Sequence, residues 1–307
     1  MKKLFFHLKN ILRLHRVPKI INEDKKTNYF KTNMAWPIGH FYSPLPSIDE
    51  IKKEEQKIFI TPSVIPGVNL NKEEQFEMFN ELKRFYPDVP FSDTKQEGLR
   101  YYYCNPYFSY GEVIILFCMI RYLRPKRIIE IGAGYSSCAM VDINEMFFNN
   151  EIELTFIEPY PELLLSLLKK KSKENYKIID KNVQDINNKV FENLNRNDIL
   201  FIDSSHVSKI NSDVNNIFFE ILPVLNTGVY IHFHDIYYAF EYPKEWIYRG
   251  IAWNEVYMLR SFLMFNNSFK IKFYNSYLST FHKDIFYKDM PMFLKNPGSS
   301  IWIKKEH

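Results

Sequence analysis

From Tyr110 onward the sequence alternates short β-branched runs with helix-length amphipathic segments, and this alternation constrains the fold more than any other feature. The runs span residues 127–131, 154–157, 176–179, 198–202, 228–233, 269–274 and 300–304, and between the first five lie segments 136–148, 161–173, 183–194 and 212–225. Parallel strands need long crossover connections, so strand, helix, strand, helix in this rhythm predicts an α/β fold with a parallel sheet covered on both faces. Loop-like sequence separates the last two runs, which predicts an antiparallel final strand.

Residues 1–100 differ in character. They are polar and punctuated by Pro18, Pro37, Pro44, Pro46, Pro62, Pro66, Pro87 and Pro90, with one clear helical pattern over 70–86. Asn71 stands as its N-cap and Glu74 as the partner in a capping box, ahead of Phe76, Phe79 and Leu82 at helical spacing. The expected organisation is an N-terminal extension or cap over 1–100 and a catalytic domain over 101–307. Leu4, Phe5, Leu8, Ile11 and Leu12 fall near one face of a short helix, either docked on the protein or lying on a membrane surface.

The longest uninterrupted apolar run is Val113 to Ile120, which ends at Arg121 and is far short of the roughly 20 residues of a membrane span. Cys104, Cys118 and Cys138 lack CxxC spacing, which argues against a disulfide framework or cysteine zinc site and fits a reducing cytoplasm. The net charge of +4 is exceeded by Lys2, Lys3, Lys9, Arg13 and Arg16 alone, so the body of the chain is nearly neutral. Nucleic acid is therefore not an expected partner. Lys169, Lys170, Lys171 and Lys173 read as the solvated side of a helix.

The chemistry concentrates where the first run leads into Glu130-Ile131-Gly132-Ala133-Gly134-Tyr135-Ser136-Ser137 and then a helix. Glycines there permit a sharp turn and close approach of a ligand to the backbone, and the helix start offers free N–H groups. A nucleotide-like cofactor at the carboxyl end of the sheet follows. Ser137 stands where a dinucleotide fingerprint has its third glycine, which leans against a nicotinamide cofactor. Glu158 ends the second strand, where a carboxylate accepts hydrogen bonds from both hydroxyls of a ribose. Asp185, in Asn182-Val183-Gln184-Asp185, follows the third strand, and Asp203 ends the fourth.

This constellation resembles the class I S-adenosylmethionine-dependent methyltransferases, over about residues 105–305. More narrowly, 105–111 (NPYFSYG), 201–207 (FIDSSHV) and 232–236 (HFHDI) resemble a bacterial subgroup that is uncharacterised or glycan-associated. The resemblance implies a doubly wound, Rossmann-like, seven-stranded and mostly parallel sheet with an antiparallel last strand. It implies S-adenosylmethionine as cofactor, with Gly132, Gly134 and Ser136 facing its methionine part and Glu130 holding its amino group directly or through water. Glu158 would hold the ribose, Gln184 and Asp185 the adenine, and Tyr107, Ser109 and Tyr110 would close over the carboxylate.

Asp203, His206, His234 and Asp235 should converge at the ends of the fourth and fifth strands, beside the cofactor at the switch point. One chemistry uses His234 or His206 as general base on an acceptor hydroxyl, with Asp203 or Asp235 orienting the imidazole. The other binds a divalent metal through Asp203, His234 and Asp235; His234-Asp235 in place of a carboxylate pair disfavours a magnesium-type site. His232 shares a strand face with His234 and reads either as part of this set or as a buried core histidine. An aromatic insertion over 236–257, including Tyr238, Trp246 and Trp253, suits a sugar or aromatic acceptor, with a helix over 253–265.

The expected protein is a cytoplasmic O-methyltransferase acting on a glycan or small-molecule hydroxyl. Peripheral contact with the inner membrane surface through residues 1–16, homo-oligomerisation and metal dependence stay open. The alternatives are an NAD(P)-dependent oxidoreductase and a non-catalytic membrane-surface protein.

Overall fold

The computed structural model describes residues 35–168 and 175–307. The candidate membrane helix over 1–16 and the lysines at 169–173 lie outside the described residues. The chain forms two compact units, Met1–Ile60 with Lys244–Ala252, and Thr61–Pro243 with Trp253–His307. In the first, Ser47 caps helix Ile48–Lys53 by accepting from the Glu50 N–H. Helix Lys244–Tyr248 is tied to the same unit by Glu55, which takes hydrogen bonds from Lys244 Nζ at 2.6 Å and from the Tyr248 hydroxyl. The aromatic insertion is thus divided, with Trp246 in this unit and its flanks in the other.

The second unit holds the sheet. Its elements in chain order are α1 (Lys72–Leu82), α2 (Tyr110–Leu123), β1 (Arg127–Ile131), α3 (Tyr135–Phe147), β2 (Glu153–Ile157), α4 (Glu162–Leu168), β3 (Tyr176–Ile179), β4 (Ile199–Ile202), β5 (Tyr230–Phe233), α5 (Glu255–Leu263), β6 (Phe269–Tyr274), α6 (Asn275–Phe281) and β7 (Ile301–Lys305), besides shorter helical turns. The strand order is β3-β2-β1-β4-β5-β7-β6. The first five pair in parallel, while β7 lies antiparallel between β5 and β6. This is the doubly wound α/β sheet expected from the sequence. Placing an antiparallel strand between the fifth and sixth departs from the 3-2-1-4-5-6 order of dinucleotide-binding sheets, so the oxidoreductase alternative loses its structural basis.

Burial explains the run pattern. Every residue of β4 and β5 is buried, as a parallel sheet covered on both faces requires. In α2, Val113 through Ile120 are all buried, so the longest apolar run is a core helix, apolar all round because it is enclosed all round. None of the helices among the described residues is long and apolar enough to cross a membrane. A buried Arg100 meets Asp142 at 2.7 Å and Glu145 at 2.6 Å, pinning the segment before α2 to α3.

Three local expectations need correction. Asn71 stands at the N-cap position of α1 as expected, but neither its side chain nor Glu74 closes a capping box: its backbone is left-handed (φ 47°), its amide donates to the Ile271 carbonyl, and Glu74 is drawn away to Lys272. Segment 183–194 is not one helix but a 3₁₀ turn, Val183–Asp185, and a single turn, Lys189–Glu192; between them the Asn187 side chain accepts the Lys189 N–H and diverts the backbone. Stretch 213–224 is helical but passes through a π-helical segment, Ile217–Ile221.

Register places the site. Ile131 pairs with Ile157 and with Ile202, Ile157 with Ile179, and Ile202 with Phe233, so the carboxyl ends of five strands are level. The next residues continue the ladder: Gly132 N–H donates to the Ile157 carbonyl, Glu158 to Ile179, Asp203 to Ile131 and His234 to Ile202. Gly132, Glu158, Asp203 and His234 therefore form one row along the sheet edge.

Candidate active site

A cavity of about 450 Å³ opens at this edge, lined among others by Gly132, Glu158, Asn182, Gln184, Asp203 and Ser205. The volume lies within the roughly 300–1,000 Å³ range of small-molecule sites. Its floor depends on Gly132, which has φ +80°; a Cβ there would stand 1.8 Å from the Asp203 carbonyl oxygen. Only a residue without a side chain lets the β1 turn pass this close to the end of β4. At Gly134 a Cβ would meet nothing within 4 Å, so that side of the loop faces open space.

Glu158 is placed to hold a diol. One oxygen accepts the Ala133 N–H at 3.2 Å and the other the Tyr160 N–H at 2.8 Å. A carboxylate offers about four lone-pair sites, so two remain for hydroxyl donors from the cavity. Gln184 lies in the lining, with its amide donating to the Asn211 carbonyl at 2.7 Å. Asp185 is exposed, accepts from the Asn182 side chain and lies outside the lining, where Asn182 and Val183 stand instead. Lys209, Asn211 and Asp213 close the cavity from the segment after β4, which the sequence reading missed.

Glu130 points into the protein. It is fully buried, and its two oxygens accept the hydroxyls of Ser136 and Ser137. Burial pushes its pKa up to about 8 against the pull of these two bonds. Ser137 also accepts the Gly134 N–H at 3.0 Å, so the residue in the place of a third glycine staples the loop to its own helix. Ser136 is turned toward Glu130 rather than the cavity. Ser109 donates to the Tyr103 carbonyl, and the Tyr110 hydroxyl donates to Asp93, both away from the lining; Tyr107 is exposed and stacks on Tyr135.

The four predicted titratable residues do converge, and two buried acids join them. His206, with φ +58°, directs Nδ1 to Glu255 at 2.8 Å and Nε2 to Asp203 at 3.4 Å and Asp235 at 3.9 Å. Its ring packs 4.3 Å from that of Trp253. Ser204 donates to Glu255 and accepts the His206 N–H, locking the turn. Burial opposes a charged imidazole here, but the bonds to Asp203 and Glu255 outweigh it and hold the His206 pKa well above its usual value. Burial likewise opposes the Asp203 carboxylate, yet the neighbouring His234 and His206 bring its pKa below the usual value. The Asp203 side chain is 38 % exposed and lines the cavity, whereas His206 is buried behind it.

His234 lies deeper. Its Nδ1 is 3.8 Å from Glu112 and its Nε2 3.8 Å from Asp235. Among the described residues, Asp203, His234 and Asp235 do not gather their ligating atoms within reach of one ion; His206 Nε2 instead lies 3.4 Å from Asp203 and 3.9 Å from Asp235. Glu112 and Glu255 were missed: each sits in the first turn of its helix, where an acid ordinarily just complements the helix dipole. Tyr238 packs against Tyr274, Tyr277 and Phe281 with its hydroxyl on the Pro62 carbonyl.

Residues 129–236 match the family described as a methyltransferase domain, the stretch that runs from β1 through the turn after β5. Over this stretch the chain carries a methyltransferase domain. S-adenosylmethionine is the cofactor of this family. An uncharacterized protein from the archaeon Archaeoglobus fulgidus is 38% identical over 168 residues, covering 53% of this methyltransferase and 75% of that protein. Among solved structures, an S-adenosylhomocysteine-bound methyltransferase from Podospora anserina shares 14% identity with a TM-score of 0.42, over 86% of this chain and 99% of that one. A putative protein-L-isoaspartate O-methyltransferase from Plasmodium falciparum, bound to the same product, shares 13% identity with a TM-score of 0.30, over 61% of this chain and 81% of that one.

Proposed function

We propose that this methyltransferase methylates a hydroxyl oxygen, of a sugar or another small-molecule acceptor, in the cavity at the carboxyl ends of β1, β2 and β4. The observation that carries this reading is the Asp203 carboxylate, which lines the cavity on one side and faces the Glu255-bound His206 on the other. S-adenosylmethionine, when bound, supplies a methyl group on a positively charged sulfur. The residues present fit it: Gly132 keeps the floor low, Glu158 has two free acceptor positions for a ribose diol, and Asn182 and Gln184 offer amides to a base. Ser137 and Glu130 hold the loop from beneath rather than touching the ligand.

His206 takes the proton of the acceptor hydroxyl. Glu255 fixes the ring through Nδ1, leaving Nε2 directed at the two aspartates, and Asp203 receives the hydroxyl and passes its proton to Nε2. Trp253, against the imidazole, gives an acceptor ring a flat apolar neighbour.

Titration calorimetry with S-adenosylhomocysteine tests the cofactor part. The unaltered protein is expected to bind it, and Glu158→Ala to bind about 10–100-fold more weakly, the loss of one or two charge-assisted hydrogen bonds. No heat with the unaltered protein would remove the methyl donor. Methyl-labelled S-adenosylmethionine offered with a panel of sugars and alcohols then tests the acceptor: label in a linkage stable to mild base is the expected ether, and a base-labile ester would show a carboxylate acceptor instead.

A further inference from the structure

Below the His206 cluster, the structure carries a second group of ligating side chains that methyl transfer does not use. Glu112, near the start of α2, and His232 and His234, at alternate positions of β5, each direct one ligating atom into a common point, and these atoms lie within 4.8 Å of one another. All three residues are buried. Glu112 Oε2, both ring nitrogens of His232 and His234 Nδ1 have no hydrogen-bond partner. Unpartnered buried polar atoms cost about 1–3 kcal/mol each, and three residues that carry them around one point mark a place built for something.

We infer that Glu112, His232 and His234 form a buried divalent transition-metal site, of zinc class, that joins α2 to β5. Two imidazoles and one carboxylate form a nitrogen-rich set that suits zinc or its neighbours better than magnesium or calcium, which prefer oxygen. Tetrahedral metal–ligand bonds of about 2.0–2.2 Å put ligand atoms roughly 3.3–3.6 Å apart, so closure around an ion draws in the 3.8 Å pair by a few tenths of an ångström and the widest pair, at up to 4.8 Å, by about 1 Å. The 3.8 Å between Glu112 Oε2 and His234 Nδ1 is too long for a hydrogen bond and fits two atoms sharing an ion.

The supporting contacts match those of metal ligands. Glu112 Oε1 accepts the N–H groups of Ser299 at 2.5 Å and Ser300 at 3.1 Å, which fixes the carboxylate and leaves Oε2 free. The loop before β7 can descend onto it only because of two glycines: a Cβ at Gly111 would stand 2.3 Å from the Pro297 carbonyl oxygen, and one at Gly298 2.0 Å from Glu112 Oε1. His234 turns its other nitrogen toward Asp235 at 3.8 Å, so a carboxylate stands beside the imidazole without a direct hydrogen bond. The His232 ring is stacked on Phe201 at 3.9 Å and edged by Trp302, so its orientation is set by apolar neighbours.

The test uses the full chain after dialysis against a chelator. Cobalt(II) is titrated in, its visible absorption is read, and bound zinc is counted by mass spectrometry. The unaltered protein is expected to take one equivalent of either ion and to melt higher for it. His232→Phe, which keeps an aromatic ring on Phe201, and Glu112→Gln are expected to weaken binding at least about 100-fold, while Asp203→Asn keeps the cobalt band. Absence of stoichiometric metal on the unaltered protein means the pocket holds only water and overturns the inference. So does a cobalt band that survives in both variants or disappears in Asp203→Asn, since the ion would then sit in the upper cluster. The unaltered protein decides the matter alone if a variant does not fold, and S-adenosylhomocysteine binding on the same samples reports separately on the cofactor site.

Discussion

His206→Gln is expected to lower kcat by about 10²–10⁴-fold, the usual contribution of a general base, while leaving S-adenosylhomocysteine affinity essentially unchanged. The separation follows from geometry. His206 is buried behind Asp203 and lies outside the cavity lining, so it meets the proton and not the cofactor. Glutamine keeps a hydrogen bond toward Glu255 but cannot take a proton at neutral pH. Glu255→Gln should cost less, because the imidazole remains and loses only its orienting charge. The pH dependence has a definite sign. Burial works against the imidazolium, but Asp203 and Glu255 raise the His206 pKa above its ordinary value, and a base acts in its neutral form. The rate therefore rises with pH, along a limb centred above the ordinary histidine value, and His206→Gln flattens that limb. A wild-type rate that is level through neutral and alkaline pH, or a limb that persists in the variant, would assign the proton to another group.

How much of this the sequence disclosed depended on what kind of constraint each residue meets. The runs ending at Ile131, Ile157, Ile179, Ile202 and Phe233 were legible to within a residue or two because a covered parallel sheet needs unbroken apolar strands. Once those ends were placed, topology alone brought Gly132, Glu158, Asp203 and His234 to one edge. Side-chain direction was not legible. Glu130 and Ser136 occupy family positions that suggest ligand contact, yet they face each other beneath the loop, since a buried carboxylate takes the nearest donors. Tyr110 was read toward the cofactor, but Asp93, seventeen positions upstream, takes its hydroxyl. Glu112 and Glu255 hid for the opposite reason: an acid in a first helical turn has a sufficient local explanation, and only the folded chain shows that each is buried against a histidine. Asp185 and Asn182 exchanged places because the chain after β3 tightens into a 3₁₀ turn, which the even spacing of apolar residues over 183–194 concealed.

The two glycines of the β1 turn should fail in different ways. Gly132→Ala is expected to destabilise the protein by about 2–5 kcal/mol, combining the cost of a left-handed alanine with the repulsion between its Cβ and the Asp203 carbonyl oxygen. That shifts the melting temperature on the order of 10 °C for a unit of this size. No rotamer relieves the contact, because both atoms belong to backbone-fixed positions and the Asp203 N–H is itself bonded to the Ile131 carbonyl. The ends of β1 and β4 must part, and the level edge that aligns Asp203 with Glu158 goes with them. Gly134→Ala meets no protein atom within 4 Å and has an extended φ of −174°, so thermal melting should be unchanged. Its methyl group instead enters the space where a ligand backs onto the loop, and S-adenosylhomocysteine should bind about 10–100-fold more weakly, the range for one intrusive methyl at a packed contact. Equal melting losses in both variants would mean that Gly134 serves the fold. Full affinity in Gly134→Ala would mean that the ligand approaches the cavity from the Glu158 side alone and leaves this face of the turn to solvent.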